Sequence, residues 1–108
     1  MTAKFIQDGE SVDYTPGSAV AAGEVVVQND LVGVAPVPIP ANTQGALAVE
    51  GVHAFPKATG GGTAIAAGVT CYWHSTVANA TSAGGVLIGK AVLAAADADA
   101  TVRIKLLQ

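Results

Sequence analysis

Turn-forming residues interrupt this chain at short intervals, and their spacing constrains the fold more than any other feature. Asp8-Gly9, Pro16-Gly17 and Asn29-Asp30 are turn pairs, and the richest apolar run, residues 86–96, is broken by Lys90. No window of helical length keeps an amphipathic helical period. Short apolar segments separated by turns about every 8 to 12 residues are typical of a β-sandwich or a compact barrel. The sequence therefore predicts an all-β fold of about eight short strands in a single domain over residues 1–108.

The predicted strands are residues 3–7, 11–15, 24–28, 31–34, 45–57, 69–74, 86–94 and 101–107. Segments 24–28 and 31–34 flank Asn29-Asp30 and predict a hairpin. The last strand has the clearest alternation, with Val102 and Ile104 on one face and Arg103 and Lys105 on the other. We therefore expect that strand to be half exposed.

Three segments depart from a regular strand pattern. Glu50-Gly51, in the middle of residues 45–57, predicts a β-bulge that switches the buried face. In Ala35-Pro36-Val37-Pro38-Ile39-Pro40, every second backbone donor is missing, which predicts an edge strand or an extended surface segment. The Ala-rich residues 91–100 are the one place where helix propensity competes with strand.

The apolar side chains of this chain are small. Of its 108 residues, 22 are Ala and 15 are Val, whereas five are aromatic. Such side chains bury little apolar area per position. The single cysteine, Cys71, cannot form an intramolecular disulfide. An isolated copy should therefore be marginally stable, and we expect it to bury further surface in copies of itself or in a partner. The extended N-terminal arm, residues 1–7, and the Pro-rich edge, residues 35–40, are the candidate contacts.

Charge and hydropathy exclude several classes of partner. Five basic residues and a net charge of -3 make a nucleic-acid groove improbable. No apolar stretch is long enough to span a bilayer, so we expect no membrane association. The N-terminal residues meet Asp8 and Glu10 before any signal-peptide core forms, which predicts synthesis inside a cell.

The chemically suggestive motifs are better explained by structure than by catalysis. Residues 84–90 match the GxxxxGK part of a phosphate-binding loop, but Ala91 replaces the required hydroxyl and the segment is predicted as a strand. Cys71 and His74 are predicted to point to opposite faces of their strand, so with His53 they would not form a zinc site. We expect no bound metal and no cofactor. Whether Cys71 and His74 do more than pack is left open.

Other candidate chemistry is equally weak. Asp97 and Asp99 lack the remaining ligands of a calcium loop and are predicted as turn residues. Ser75 follows His74 directly, and neighbours on a strand diverge, so no catalytic set is predicted. Trp73 is predicted as a core anchor rather than a stacking platform.

Seven blocks, in order and over nearly the whole chain, resemble the small capsid cement, or decoration, proteins of tailed bacteriophages. The blocks are residues 4–9, 21–26, 31–35, 50–57, 67–73, 87–91 and 100–106. The sequence departs from the family pattern mainly at Cys71 and Lys90. The resemblance implies a non-enzymatic virion protein on the capsid exterior, made in the host cytoplasm, that binds the major capsid protein and stabilises capsomer junctions. It also implies a dimer or trimer at symmetry axes.

The expected capsid or subunit contacts are Lys4, Phe5, Ile6, Pro36, Val37, Pro38, Ile39 and Pro40. Two alternatives stay open at this point. One is a small nucleotide-binding or enzymatic accessory protein of phage DNA metabolism, and the other is a host-encoded β-rich binding module.

Overall fold

Two antiparallel sheets make up the computed structural model, which describes residues 1–5 and 9–108. Sheet I has the order β1-β4-β3-β2, formed by β1 (Ser11–Tyr14), β2 (Val25–Gln28), β3 (Leu31–Val34) and β4 (Gly45–Ala48). Sheet II has the order β5-β9-β8-β6-β7, formed by β5 (Val52–Pro56), β6 (Thr70–Trp73), β7 (Ala78–Asn79), β8 (Val86–Ala91) and β9 (Thr101–Leu106). The prediction of an all-β fold is confirmed, as two separate sheets rather than one closed barrel. Within the described residues there is no helix, and hence none that could cross a membrane.

Local sequence signals place several strands as predicted. The β2–β3 hairpin turns at Asn29, whose φ of 55° lies in the left-handed region that Asn tolerates. In β9, Val102, Ile104 and Leu106 are buried, whereas Arg103 and Lys105 are exposed. The alternation predicted for that strand is confirmed.

Residues 45–57 do not form one bulged strand, so that prediction was wrong. They divide into β4, in sheet I, and β5, in sheet II. The Val49 amide still donates to Glu10 O at 3.0 Å, next to β1 of sheet I, whereas Gly51 O already accepts from Leu106 N of sheet II at 2.9 Å. Gly51 has a φ of 91°, a left-handed conformation that turns the chain from one sheet to the other.

The bulge lies instead between β6 and β8. Cys71 pairs with Gly89 and Tyr72 with Leu87, so Ile88 is the extra residue. Both Ile88 and Gly89 are buried, and the alternation resumes one position later. Strand β8 ends at Ala91, earlier than the predicted residue 94. The Val92 amide makes one more bond to β9, to Arg103 O at 3.0 Å, and Ala95 then pairs with Ile65 instead.

The larger hydrophobic core lies between the sheets. It combines Val32 and Val34 of β3 with the inward side chains of sheet II, including Phe55 and Trp73. These two rings meet edge to face, with centroids 6.1 Å apart, and Trp73 is 8% exposed. The prediction of Trp73 as a core anchor is confirmed.

A smaller core lies on the opposite face of sheet I. It contains Val20, Val26, Ala35, Ile39 and Leu47. Sheet I therefore has buried apolar side chains on both faces, which explains why apolar residues follow one another in β2 and β3 without alternating with polar ones.

One side chain joins the two sheets by hydrogen bonds. Gln108 Oε1 accepts from the Val32 amide of β3 at 2.8 Å, and Gln108 Nε2 donates to Ile88 O of β8 at 2.7 Å. A third bond runs from Nε2 to Leu87 O at 3.0 Å. Because Val32 is fully buried, this amide has no access to solvent as an alternative partner.

Candidate functional site

The Pro-rich segment crosses the outside of sheet I and presents most of its side chains to solvent. Ile39 forms a two-bond bridge with Val20, with both N···O distances 2.9 Å. Its side chain is 2% exposed and packs beside Gly45, where a Cβ would lie 2.8 Å from Ile39 Cδ1. Val37, in contrast, is 60% exposed. Ile39 therefore anchors the segment, and any surface contact involves its neighbours.

The exposed members of this segment are Pro36, Val37, Pro38 and Pro40. Pro side chains lose little conformational freedom on binding, because the ring already restricts φ. The segment is thus a preorganised apolar ridge, held in place by Ile39 underneath it.

The N-terminal arm offers the second set of predicted contacts. Residues 1–5 belong to no strand, and Phe5 is 77% exposed. Lys4 is exposed beside it. The predicted contact Ile6 and the remainder of the predicted strand 3–7 lie outside the described residues. The Pro-rich segment belongs to the sheet I half of the protein, because its Ile39 is part of the smaller core.

A buried lysine was missed by the sequence reasoning. Lys57 is 5% exposed, and its Nζ donates to Ala58 O at 2.8 Å, Asp99 O at 3.0 Å and Thr63 Oγ1 at 3.2 Å. All three acceptors are uncharged oxygens. Because Thr63 and Asp99 lie in different loops, the ammonium group connects those loops by hydrogen bonds. The sequence did indicate this burial, because Lys57 lies two residues after Phe55 and the alternation of β5 continues through it, with both side chains buried.

The two aspartates beside these loops act as turn residues, as predicted. Asp97 Oδ1 accepts from Thr63 N at 3.1 Å and Ala64 N at 2.8 Å. Asp99 Oδ2 accepts from Ala96 N at 2.8 Å. Both carboxylates therefore stabilise backbone amides in the loops around Lys57.

Cys71 and the histidines do not converge. Cys71 is fully buried with Trp73 on the core side of β6, as predicted, and burial raises the pKa of its thiol, partly offset by a backbone hydrogen bond with Ala91. His74 is partly exposed, and its Nε2 lies 2.7 Å from Thr81 O. Among the residues that the structure describes, no group of three or more His, Cys, Asp or Glu side chains could hold a metal.

A cleft of about 430 Å³ opens between the sheets. Its walls include the rings of Phe55 and Trp73, and its polar lining includes His53, Glu24 and Ser75. His53 meets Phe55 edge to face at 6.5 Å, and its Nδ1 is buried without a partner. The cleft offers apolar walls and isolated polar groups.

The segment that matches part of a phosphate-binding loop is mostly strand. Residues 86–91 form β8, in which Lys90 pairs opposite Lys105 and Ala91 is buried. A phosphate-binding loop needs backbone amides that turn inward around an anion, followed by a helix. The strand prediction is confirmed, and this segment gives no support to the nucleotide-binding alternative.

Comparison with known proteins identifies the chain by family rather than by a close relative. No curated protein and no solved structure gives a significant match. The family model described as phage cement protein matches residues 6–106. This range includes both sheets and the Pro-rich segment. The family is one of structural proteins, with a structural role in the phage capsid. The chain therefore belongs to the phage cement protein family.

Proposed function

We propose that this protein binds the outer surface of the mature phage capsid and stabilises the junctions between capsomers, with the major capsid protein as its partner. The observation that carries the proposal is the family match over residues 6–106. Assembly onto the shell follows synthesis in the host cytoplasm, and the copies associate as dimers or trimers at symmetry axes.

The shape and surface of the molecule support this function. Its extents are 43 × 37 × 22 Å, so it is a plate that covers a large area for its mass. The exposed Pro-rich ridge offers apolar contact area at little entropic cost, and Phe5 offers a further apolar group. Each contact is modest, but a particle carries many copies, and binding to the assembled shell stabilises it by mass action.

The contacts proposed for the shell or a neighbouring subunit are Lys4, Phe5, Ile6 and the exposed residues Pro36, Val37, Pro38 and Pro40, with Ile39 as their anchor. An aspartate at Val37 would place a charge in the apolar ridge without disturbing the core. Leu93, which is 54% exposed after the end of β8, provides a control of similar exposure away from the ridge.

The test uses expanded capsids depleted of this protein. Wild-type protein and Leu93→Asp should bind and raise the melting temperature of the capsid, whereas Val37→Asp should bind at least about tenfold more weakly. Failure of the wild-type protein to bind, or an unchanged melting temperature, would refute the proposed function. Normal binding by Val37→Asp would remove the Pro-rich ridge from the contact.

A further inference from the structure

Strand β2 forms one edge of sheet I and lacks the features that usually protect an edge. Edge strands carry unpaired backbone groups, and proteins protect them with charged residues, proline or very short strands. Among the other edges that the structure describes, β1 contains Asp13, β5 ends at Pro56 and β7 has two residues. Strand β2 is Val25-Val26-Val27-Gln28 and has none of these features. It is therefore the edge best suited to accept a further strand.

The ladder between β2 and β3 shows which backbone groups point outward. The Val32 amide, opposite Val27, donates to Gln108 Oε1 rather than to β2. Bonded and non-bonded pairs alternate in an antiparallel ladder, so Val27 and Val25 direct their amides and carbonyl groups away from β3. The described part of the chain supplies no partner for these groups. The undescribed residues 6–8 precede β1, which forms the opposite edge of the sheet, three strands or about 14 Å away.

A groove runs along this edge, between β2 and sheet II, and is here called the β2 groove. Two clefts of about 430 and 360 Å³ form it, and they adjoin because Val25, Trp73 and Ser75 line both. An extended segment paired with the four residues of β2 would span about 13 Å and pass over Trp73. The lining also includes Glu24 and Phe55 at one end of the groove and Val27 and Val86 at the other.

The lining of the β2 groove defines the chemistry of its occupant. Apolar side chains predominate, Glu24 carries the one carboxylate, and the described lining contains no Lys or Arg. Side chains alternate along a strand, so every second side chain of an added strand would lie over Val25, Val27 and Trp73. The occupant that fits is an extended segment with apolar side chains at alternate positions and a basic residue beside Glu24.

A second copy of β2 does not meet this requirement. The four strands of sheet I contain no Lys or Arg, so pairing between two β2 edges would bring no base to Glu24. The groove also adjoins the Pro-rich ridge, because the Ala35 amide donates to Glu24 O at 3.0 Å. A single partner that contacts the ridge can therefore reach the groove as well.

We propose that an extended segment of the major capsid protein adds to the edge of β2 as a fifth strand of sheet I and fills the β2 groove. The identity of this partner rests on the proposed function, whereas the chemistry of the groove does not. Main-chain hydrogen bonds to Val25 and Val27 provide affinity, and the apolar side chains over Trp73 provide specificity. In antiparallel addition the C-terminal end of the segment lies beside Glu24, because β2 begins there.

A peptide probe tests the groove without the shell. The probe is acetylated and amidated Val-Thr-Val-Thr-Val-Lys, and its control carries N-methyl groups on the second and third valines. Trp73 is the single tryptophan of the chain, so its fluorescence reports directly on the groove. The probe should change this fluorescence saturably and slow hydrogen exchange at the amides of Val25 and Val27. The methylated control should bind at least about tenfold more weakly, because it cannot donate to the edge.

Two substitutions at Val27 form a matched pair. Val27→Pro removes one outward amide and keeps the ladder to β3, because that amide does not bond to β3. Val27→Thr keeps both the amide and the branched shape. The Pro variant should bind the probe and the depleted capsids at least about tenfold more weakly than the Thr variant. Circular dichroism verifies folding, and if the Pro variant does not fold, the methylated control decides.

Glu24→Gln tests the predicted base. This variant should bind the lysine-ended probe about two- to fivefold more weakly than wild type, and both proteins should bind a probe that ends in glutamine equally. Equal binding of the lysine-ended probe by both proteins would remove the basic residue from the occupant.

The results that overturn the proposal are separate from those that refute the proposed function. Equal binding of the methylated and unmethylated probes, or unchanged exchange at Val25 and Val27, would overturn the strand addition. Protection of these amides that rises with wild-type concentration, without probe, would assign the groove to a second copy. Equal capsid binding by Val27→Pro and Val27→Thr would exclude the shell as the occupant while leaving the proposed function intact. A wild-type protein that binds no capsid would refute the proposed function, and the partner with it, whereas the probe would still decide the strand addition.

Discussion

Gln108 should contribute far more to stability than an exposed residue just after a strand normally does. Its side chain makes three hydrogen bonds, and these connect β3 of sheet I with β8 of sheet II. We predict that Gln108→Ala destabilises the protein substantially, because it removes the hydrogen bonds by which this side chain connects the two sheets.

The magnitude follows from the burial of each partner. The Val32 amide is fully buried and would be left unsatisfied, at a cost of about 1–3 kcal/mol. Leu87 is 41% exposed, so water can replace the bond to its carbonyl, and the net loss at the two carbonyl groups is about 1 kcal/mol. The expected total is about 2–4 kcal/mol, which lowers the melting temperature of a chain of this length by about 10–20 °C.

Urea unfolding gives the free energy, and native-state hydrogen exchange gives the position of the effect. The Val32 amide should lose protection in Gln108→Ala, more than amides elsewhere in the core. Gln44→Ala, the same chemical change at an exposed glutamine, is the control and should stay within about 0.5 kcal/mol of wild type. If Gln108→Ala also stays within that margin, or if Val32 keeps its protection, the link between the sheets is not made as described.

Three further predictions concern single residues of the core and its loops. Gly89→Ala should abolish folding, at more than about 4 kcal/mol, because a Cβ there would overlap the backbone of β9; Gly17→Ala, with no atom within 4 Å, should be nearly neutral by thermal melting. Lys57→Met removes three hydrogen bonds and should cost about 2–3 kcal/mol in urea unfolding, whereas the same change at exposed Lys4 should have no effect. Because burial raises the pKa of Cys71, the unfolded thiol ionises first, so the contribution of this thiol to stability should be constant below the ordinary value of 9.0 and fall as pH rises above it. Urea midpoints measured against pH for Cys71→Ala should lack that part of the alkaline decline, and an identical decline in both proteins would contradict this reasoning.

Residues 45–57 show which structural feature the local sequence pattern does not determine. The sequence pattern identified the strand content of this segment and marked Gly51 as the irregular position. A glycine within a strand pattern is compatible with a bulge or with a turn out of the sheet, and the local sequence does not distinguish them. The choice depends on partners distant in sequence, since β4 pairs with residues 11–14 and β5 with residues 101–105.

In the Pro-rich segment, too, one property follows from the local sequence and another depends on the tertiary structure. The missing donors of Pro36, Pro38 and Pro40 predicted a segment at the surface, and that property is local. The burial of Ile39 is not local, because it requires Val20 to bridge it and Gly45 to leave space beneath it.

The short spacing of turn residues determined by itself that this chain folds into short strands, and alternation determined which side chains of β6 and β9 are buried. Both follow from backbone geometry over a few neighbouring residues. The tertiary structure alone decided which sheet each strand joins, which loops form hydrogen bonds with Lys57 and how Gln108 links the two sheets. Those features depend on pairing between residues many positions apart, and a pattern within one segment carries no information about which distant segment lies beside it.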